Sequence, residues 1–272
     1  MHTRFVRTIS IVGAPSLALL LAGCAGITSI LKVSPVPVAG AAVHGAVHGG
    51  QQPISGATIQ LFIAGTGGYA QTNKNILTSV VTTGLDGSFT LSGNYPCTPG
   101  QRMYLVATGG YPAQPASQGG APNPNAAVMA ALGDCGSLTT STFINMNEVT
   151  TVGSVFALAP FMSGYTNLGA NSGNVAGLNR AFASVNKLVD IGAGSSTGSA
   201  LPAGATGPSS EINTLADAMA VCINSAGGTA GDSTGCGMFF SYATPPGGAA
   251  PTDTIAALLN LAHNPFLHPA DL

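Results

Sequence analysis

The spacing of apolar residues changes once along this chain, and that change limits the fold to a mixed one. Apolar and polar residues alternate over 58–61 and 88–91, as they do in strands with one buried face. Beyond residue 145 the apolar residues instead recur every three or four positions, as on one face of a helix. We therefore predict an α+β protein, with a small antiparallel β-sandwich over residues 41–110 followed by a small helical bundle over residues 145–272.

Short strands and turns fill the predicted sandwich. Residues 76–83 are rich in β-branched side chains, which favour strands. Within residues 103–107, successive apolar side chains would point to opposite faces of a sheet. Asp86-Gly87 marks a turn between two strands. Several short strands separated by turn residues are typical of a β-sandwich.

Four apolar stripes at helical spacing predict the helices of the bundle. They run from Val149 to Ala159, from Val175 to Val189, from Ile212 to Cys222 and from Ile255 to Ala262. Ser210 and Thr252 precede the last two stripes, at positions where a hydroxyl can cap a helix N-terminus. Residues 111–144 are predicted to be a connection with one short helix over residues 125–132.

The start of the chain predicts export. Arg4 and Arg7 precede an apolar run over residues 11–21, and small residues follow it, as in a secretory signal peptide. A membrane-spanning helix needs about 20 apolar residues, so this run is too short for one. We predict a signal peptide over residues 1–23 and a flexible tether over residues 24–40, because the tether has prolines and no clear period.

The end of the apolar run, Leu21-Ala22-Gly23-Cys24, resembles the lipobox of bacterial lipoproteins. The resemblance implies that Cys24 becomes the first residue of the mature chain and carries the lipid that attaches it to the membrane. In that family an Asp after the Cys retains the protein at the inner membrane, and Ala25 occupies this position here. The resemblance therefore favours the outer membrane. The alternative to lipidation at Cys24 is an ordinary signal peptide that is cleaved without lipid attachment.

Charged residues make up only 6% of the chain, against about 25% in an average soluble domain. Once residues 1–23 are removed, five basic and nine acidic residues remain, for a formal charge of −4. Nucleic-acid binding depends on basic patches, so nucleic acid is not an expected partner. We expect a neutral, polar partner surface with Tyr69, Tyr111 and Tyr165 as aromatic anchors.

Four cysteines remain after Cys24, and an even number in an exported chain predicts disulfides. They are Cys97, Cys135, Cys222 and Cys236, which allow three pairings. We predict Cys97–Cys135 and Cys222–Cys236, because each pair flanks one compact segment. Zinc is the rival interpretation, but the sequence has no C-x-x-C motif and no histidine near either pair, so no metal or cofactor is predicted.

Part of the predicted sandwich resembles a known family. The segments Pro53 to Leu61 and Thr83 to Leu91, with Pro99-Gly100 before a last strand, are similar to those of carboxypeptidase regulatory-like, prealbumin-type domains. Gly84 replaces the first Asp of the family's Thr-Asp-x-x-Gly-x-Phe segment, and Cys97 departs from the pattern. The resemblance implies a non-catalytic β-sandwich accessory module.

Two further segments, Asn147 to Thr151 and Ser210 to Asp217, resemble the exported N-terminal region of some large acidobacterial proteins. In those proteins this region precedes a β-propeller of NHL-type repeats. The resemblance implies no known activity, and it leaves open whether this chain is a stand-alone or a shortened form.

Two motifs that could carry chemistry have simpler explanations. Residues 194–198 fit G-x-S-x-G, but a nucleophile elbow follows a strand, and here a helix is predicted before it. His44 and His48 would share one face of a strand without a third metal ligand nearby in sequence, which indicates a solvated pair.

Three acidic residues are expected on helices. Glu148 and Glu211 would lie in the first turn of a helix, where a carboxylate is favourable. Either one could act as a general acid only beside a second carboxylate in a cleft. Asp190 and Lys187 are expected to form a surface pair three positions apart.

Two classes of function follow from these predictions. The first is a non-catalytic envelope lipoprotein, attached to the membrane through Cys24, that binds or presents an envelope protein or a glycan. The second is a secreted hydrolase whose site is not visible in the sequence. A cleft that holds Glu148 or Glu211 beside another acid would favour the hydrolase, whereas an exposed apolar patch would favour binding.

Overall fold

The computed structural model describes residues 35–267, so the predicted signal peptide and Cys24 lie outside the described residues. The strands are β1 (Val38–Ala39), β2 (Val43–Gly49), β3 (Gln52–Pro53), β4 (Thr58–Ile63), β5 (Val81–Thr82), β6 (Ser88–Leu91), β7 (Pro96–Cys97), β8 (Arg102–Thr108), β9 (Ala127–Asp134), β10 (Phe143–Met146), β11 (Met162–Gly164) and β12 (Asn167–Leu168). The α-helices are α1 (Glu148–Leu158), α2 (Val175–Leu188), α3 (Ser209–Ile223), α4 (Gly235–Tyr242) and α5 (Thr254–His263). The predicted α+β fold class is confirmed.

The first sheet is built around β2, which pairs with β6 on one side and β10 on the other, while β3 pairs with its end. Val47 and Phe89 are buried, whereas His44 and Thr90 are exposed. This alternation gives the sheet one face toward the core and one toward solvent. The β2–β10 pair is parallel, so the sheet is mixed and not wholly antiparallel as predicted.

The second sheet has the strand order β5-β4-β8-β9 and is antiparallel throughout. Every residue from Met103 to Ala107 in β8 is buried. Because neighbouring residues of a strand point to opposite faces, both faces of this sheet are covered. The two sheets share one apolar core with the helices, and the described residues belong to one compact unit.

Strand β9 corrects the prediction of a short helix over residues 125–132. The segment is apolar at nearly every position and has no helical period, and it pairs with β8 over seven residues. A short continuous apolar run suits either a buried helix or a strand buried on both faces, and the pattern alone does not separate them. The predicted connection, residues 111–144, therefore supplies a strand of the sandwich.

The outer edge of β9 is sealed by hydroxyl groups from two helices. Three hydroxyls accept its outward-facing backbone N–H groups: Thr254 Oγ1 from Ala127 at 3.0 Å, Thr151 Oγ1 from Met129 at 2.9 Å, and Ser154 Oγ from Ala131 at 3.0 Å. An open sheet edge exposes unpaired backbone groups, and covering it with a helix is one solution that proteins use. Helices α1 and α5 are thereby fixed against the sandwich.

The four predicted helices are present as α1, α2, α3 and α5, and α4 is an additional one. Its glycines, Gly235 and Gly237, weaken a helical pattern, which is why the sequence did not predict it. The predicted cap at Thr252 is wrong, because Asp253 precedes α5 and its carboxylate accepts the Ala256 N–H at 2.8 Å. Ser210 lies inside the first turn of α3 and does not cap it.

Both predicted disulfides are present. Cys97–Cys135 joins β7 to the turn that follows β9, and Cys222–Cys236 joins α3 to α4. Disulfides persist in oxidising compartments, so they indicate an extracytoplasmic location. Among residues 35–267, no helix has the length and apolar character needed to cross a membrane.

Candidate functional site

Glu148, one of the two predicted candidate acids, is a buried carboxylate with a structural task. It is the first residue of α1, only 4% of it is exposed, and its Oε1 accepts the Gly50 N–H at 2.9 Å. Burial raises its pKa, and Asp217 adds repulsion, while the bonds from its own N–H and from Gly50 oppose that rise. The carboxylate therefore ties the β2–β3 turn to the start of α1.

Glu211, the other candidate acid, lines an apolar groove between α1, the start of α3 and the end of α5. The groove has a volume of about 320 Å³. Its apolar lining is Phe156, Leu215, Leu261, Pro265 and Leu267, and its polar lining is Ser210, Glu211, Thr214 and Asn264. Glu211 is the only charged residue in that set. We call this feature the helical groove.

The end of α5 holds one wall of the helical groove in place. The His263 Nε2 atom lies 2.9 Å from the carbonyl oxygen of Ala159. At the next residue, Asn264 Nδ2 donates to the carbonyl of Asn260 at 2.8 Å, and the Leu267 N–H donates to the carbonyl of Asn264 at 2.9 Å. These bonds fold residues 264–267 back into a turn, so that Pro265 and Leu267 face the groove.

A second hollow adjoins the helical groove on the same face. It has a volume of about 360 Å³ and is lined by Pro246, His263, Asn264, Pro265, Phe266 and Leu267. Phe266 is 91% exposed, although the residues on both sides of it line the groove. The groove and this projecting ring form one largely apolar surface.

A further groove of about 390 Å³ has no charged residue and is lined mainly by small residues. It is lined by Pro112, Ala113, Gln114, Gly119, Gly120, Ala121, Asn224, Ser225 and Ala226. The Asn224 Nδ2 group is already bonded to the carbonyl of Ala220 in its own helix. A site specific for a small molecule combines an apolar lining with a few placed polar groups, and the helical groove matches that description better.

The G-x-S-x-G motif does not form a nucleophile elbow. Helix α2 precedes it, and the Ser196 hydroxyl lies 3.2 Å from Asn213 Oδ1. The predicted helix before the motif is confirmed, whereas a nucleophile elbow needs a strand immediately before the serine.

The two histidines of β2 are too far apart to share a metal ion. His44 and His48 are four positions apart on one strand, which separates them by about 13 Å along it. His44 Nδ1 instead lies 3.1 Å from Thr90 Oγ1 on the neighbouring strand. Among residues 35–267, no three His, Cys, Asp or Glu side chains cluster closely enough to hold a metal.

The predicted surface pair of Asp190 and Lys187 is wrong. Helix α2 ends at Leu188, so Asp190 lies past the helix and does not share a face with Lys187. Its carboxylate instead accepts the Ala193 N–H at 2.9 Å and closes the loop that follows.

The three predicted aromatic anchors do not line the helical groove. Tyr69 is 59% exposed and its hydroxyl donates to the carbonyl of Met162 at 3.1 Å. Tyr111 and Tyr165 are half-buried. The role of these tyrosines as anchors stays a prediction.

The sequence predicts other roles for several residues of the helical groove. Phe156 and Leu215 fit the predicted stripes from Val149 to Ala159 and from Ile212 to Cys222, and such a stripe predicts a packed helix face. The available signal was Phe266-Leu267, two apolar residues that follow Pro265 and belong to none of the four predicted stripes.

The fold and the groove define an extracytoplasmic, disulfide-bonded α+β protein with a β-sandwich, an attached set of helices and an apolar surface groove. No protein-family model, curated protein or solved structure matches the chain. The resemblances to bacterial lipoproteins, prealbumin-type domains and acidobacterial propeller proteins therefore stay predictions.

Proposed function

We propose that this protein is a non-catalytic, lipid-anchored module of the cell envelope that binds a partner through the helical groove. The anchor would be a lipid on Cys24, and the outer membrane is the favoured location because Ala25 follows that cysteine. The partner would be an envelope protein that inserts an apolar segment into the groove.

The observation that carries the binding role is the composition of the helical groove. Five apolar residues line it, and four polar residues can orient a ligand at its rim. Glu211 lines the groove as a single carboxylate, whereas glycoside hydrolysis uses two carboxylates on opposite sides of the reacting bond. Glu148 is bonded to Gly50 and supports the fold. This arrangement favours binding over the alternative of a secreted hydrolase.

The envelope location has independent support. The order of basic residues, apolar run and Leu21-Ala22-Gly23-Cys24 supports lipidation, and the two disulfides support export. One acyl chain gives only marginal membrane binding, so a stable anchor needs more than one chain. The lipoprotein resemblance would supply several chains on Cys24.

Labelling with a fatty acid tests the anchor. We expect the wild-type chain to incorporate the label and to sediment with membranes, and the Cys24→Ala variant to do neither. Equal labelling of the two chains would contradict lipidation at Cys24.

A neutral fluorescent probe, phenylnaphthylamine, tests the helical groove. We expect saturable binding to the wild-type chain and loss of binding in Leu215→Trp, because the larger side chain fills the groove. The matched control is Val80→Trp, which adds the same ring at an exposed position that does not line the groove. Equal binding by all three chains, with unchanged circular dichroism, would contradict the groove as a site. Reproducible hydrolysis of an ester or glycan would contradict the non-catalytic role.

A further inference from the structure

Phe266 is exposed in a way that its neighbours are not. The residue is 91% exposed, the largest value among the exposed large apolar residues of 35–267. Single exposed apolar residues are normal on protein surfaces and need no partner. This one differs because the turn of residues 264–267 holds it in place, directly beside an apolar groove.

The projecting ring and the helical groove lie on one face. Asn264, Pro265 and Leu267 line both the groove and the hollow beside Phe266. A two-fold interface uses the same patch on both subunits, so each patch must contain both a projection and its complement. This face meets that requirement, since the ring and the groove are adjacent.

We propose that the occupant of the helical groove is a second copy of this chain, with Phe266 of each copy inserted into the groove of the other. The proposal rests on the groove of the proposed function and names its partner. A groove of about 320 Å³ has room for a phenyl ring, and Phe156, Leu215 and Leu261 would surround it. Aromatic residues that fill apolar pockets contribute most of the energy at many interfaces.

The charges on this face permit two copies to approach. Glu211 is the only acidic residue that lines the groove or the hollow, and His263 is the only other titratable one. Two like patches with many charges would repel each other, and this pair of patches has few. The contact is therefore governed by apolar burial, with the polar rim of Ser210 and Thr214 at its border.

The size of the face sets the strength of the association. Two aromatic rings that each bury about 150–250 Å² fall short of the roughly 1,200–2,000 Å² of standard stable interfaces, so the dimer is weak and reversible in solution. A lipid on Cys24 would confine the chains to one surface and raise their effective concentration. Self-association would then be stronger on the membrane than in solution.

Sedimentation equilibrium of a chain covering residues 25–272, which contains the whole compact unit from Pro35 onward, tests the proposal. We expect the mass to rise from monomer toward dimer between about 1 µM and about 1 mM. Phe266→Ala should weaken association at least about tenfold. The control is Val80→Ala, which removes apolar surface at a residue that is 85% exposed and lies outside the groove. This variant should associate as strongly as wild type.

A mixture of two variants tests the reciprocal geometry. Phe266→Ala keeps the groove and lacks the ring, while Leu215→Trp keeps the ring and has a filled groove. Each variant alone would be monomeric, but a mixture retains one ring-in-groove contact, so we expect partial recovery of the dimer. Association of Phe266→Ala at the wild-type level, or a mixture that stays monomeric, would overturn the proposal.

Probe binding separates failure of this proposal from failure of the groove itself. A wild-type chain that stays monomeric at all concentrations overturns self-association. If that chain still binds phenylnaphthylamine and Leu215→Trp does not, the groove serves another partner and the proposed function stands. If probe binding is also absent, both proposals are wrong.

Discussion

The two sheets of the sandwich differ in how many of their faces and edges meet solvent. In β6 of the first sheet, exposed and buried residues alternate from Ser88 to Leu91. In β8 of the second sheet, five consecutive residues are buried, and the outer edge of β9 is covered by helical hydroxyls. The first sheet is the outer layer of the molecule, and the second is an inner layer that the helices complete.

This difference explains why the helices are not an independent body. The hydroxyls of Thr151, Ser154 and Thr254 are fully buried and bonded to the backbone of β9. Without α1 and α5, three backbone N–H groups of β9 would lose their hydrogen-bond acceptors. Without β9, the three hydroxyl oxygens would lose the N–H donors that they bind. Hydrogen bonds therefore join β9 of the sandwich to α1 and α5, and the predicted helical bundle is not separate from the sandwich.

The largest expected effect compares a buried position of the second sheet with a solvent-facing position of the first. Leu105 in β8 is 0% exposed, so Leu105→Ala should destabilise the fold by up to about 5 kcal/mol through lost burial and a cavity. Thr90→Ala on the solvent face of the first sheet should change the free energy of unfolding by no more than about 0.5 kcal/mol. Urea unfolding followed by circular dichroism measures both. Similar effects at the two positions would contradict the distinction between the sheets.

The second prediction concerns the disulfide that joins β7 to the end of β9. Replacing Cys97 and Cys135 by serine frees a loop with a sequence separation of 38, which should cost about 4 kcal/mol. The Cys222–Cys236 pair closes a separation of 14, and its removal should cost about 3 kcal/mol. Thermal unfolding of the two double variants compares them. A larger loss at Cys222–Cys236 would show that the helical side depends more on its crosslink than the sandwich does.

The third prediction tests the sealed edge of β9. Thr151→Val keeps the shape of the side chain but removes the acceptor of the Met129 N–H, which should cost about 1–3 kcal/mol. Thr151→Ser is the matched control, because it keeps the hydroxyl and loses only a methyl group. Hydrogen exchange at Met129 should accelerate in the valine variant alone. Equal exchange in both variants would show that the hydroxyl does not protect this edge.

The comparison also shows which parts of the fold the sequence could predict. Strand β6 has one solvent face, and its residues 88–91 carry the alternation that identifies it. Residues 58–61 of β4 alternate as well, because Thr58 and Gln60 are half-buried between fully buried apolar neighbours. Strand β9 carries no such signal, because its residues are buried on a sheet covered on both sides. The helical groove was hidden for a related reason, since Phe156 and Leu215 fit a core stripe and only packing decides which part of a stripe stays uncovered.

The last and smallest effect concerns Glu148, which connects the turn of the first sheet to the helix that seals the second. Burial raises its pKa above the ordinary 4.5, so between 4.5 and that raised value the folded chain holds a proton that the unfolded chain has lost. Wild-type stability relative to Glu148→Gln should therefore be greatest below pH 4.5 and should fall as the pH rises through the raised pKa.

Asp86 supplies a control of opposite sign for this pH dependence. Its pKa is lowered, first by the Ser88 hydroxyl and then by the Ser88 N–H, at the turn before β6. Wild-type stability relative to Asp86→Asn should therefore rise as the pH increases from the lowered value through the ordinary 3.8. Urea unfolding across this pH range measures the free energy of unfolding of wild type and of each variant. The difference between the two removes the contribution of the titratable groups that both chains contain. The opposite result would be a stability difference between wild type and Glu148→Gln that rises with pH. It would mean that the Gly50 hydrogen bond lowers the pKa of Glu148 more than burial raises it, so that the inner layer tolerates a charge as readily as the outer one.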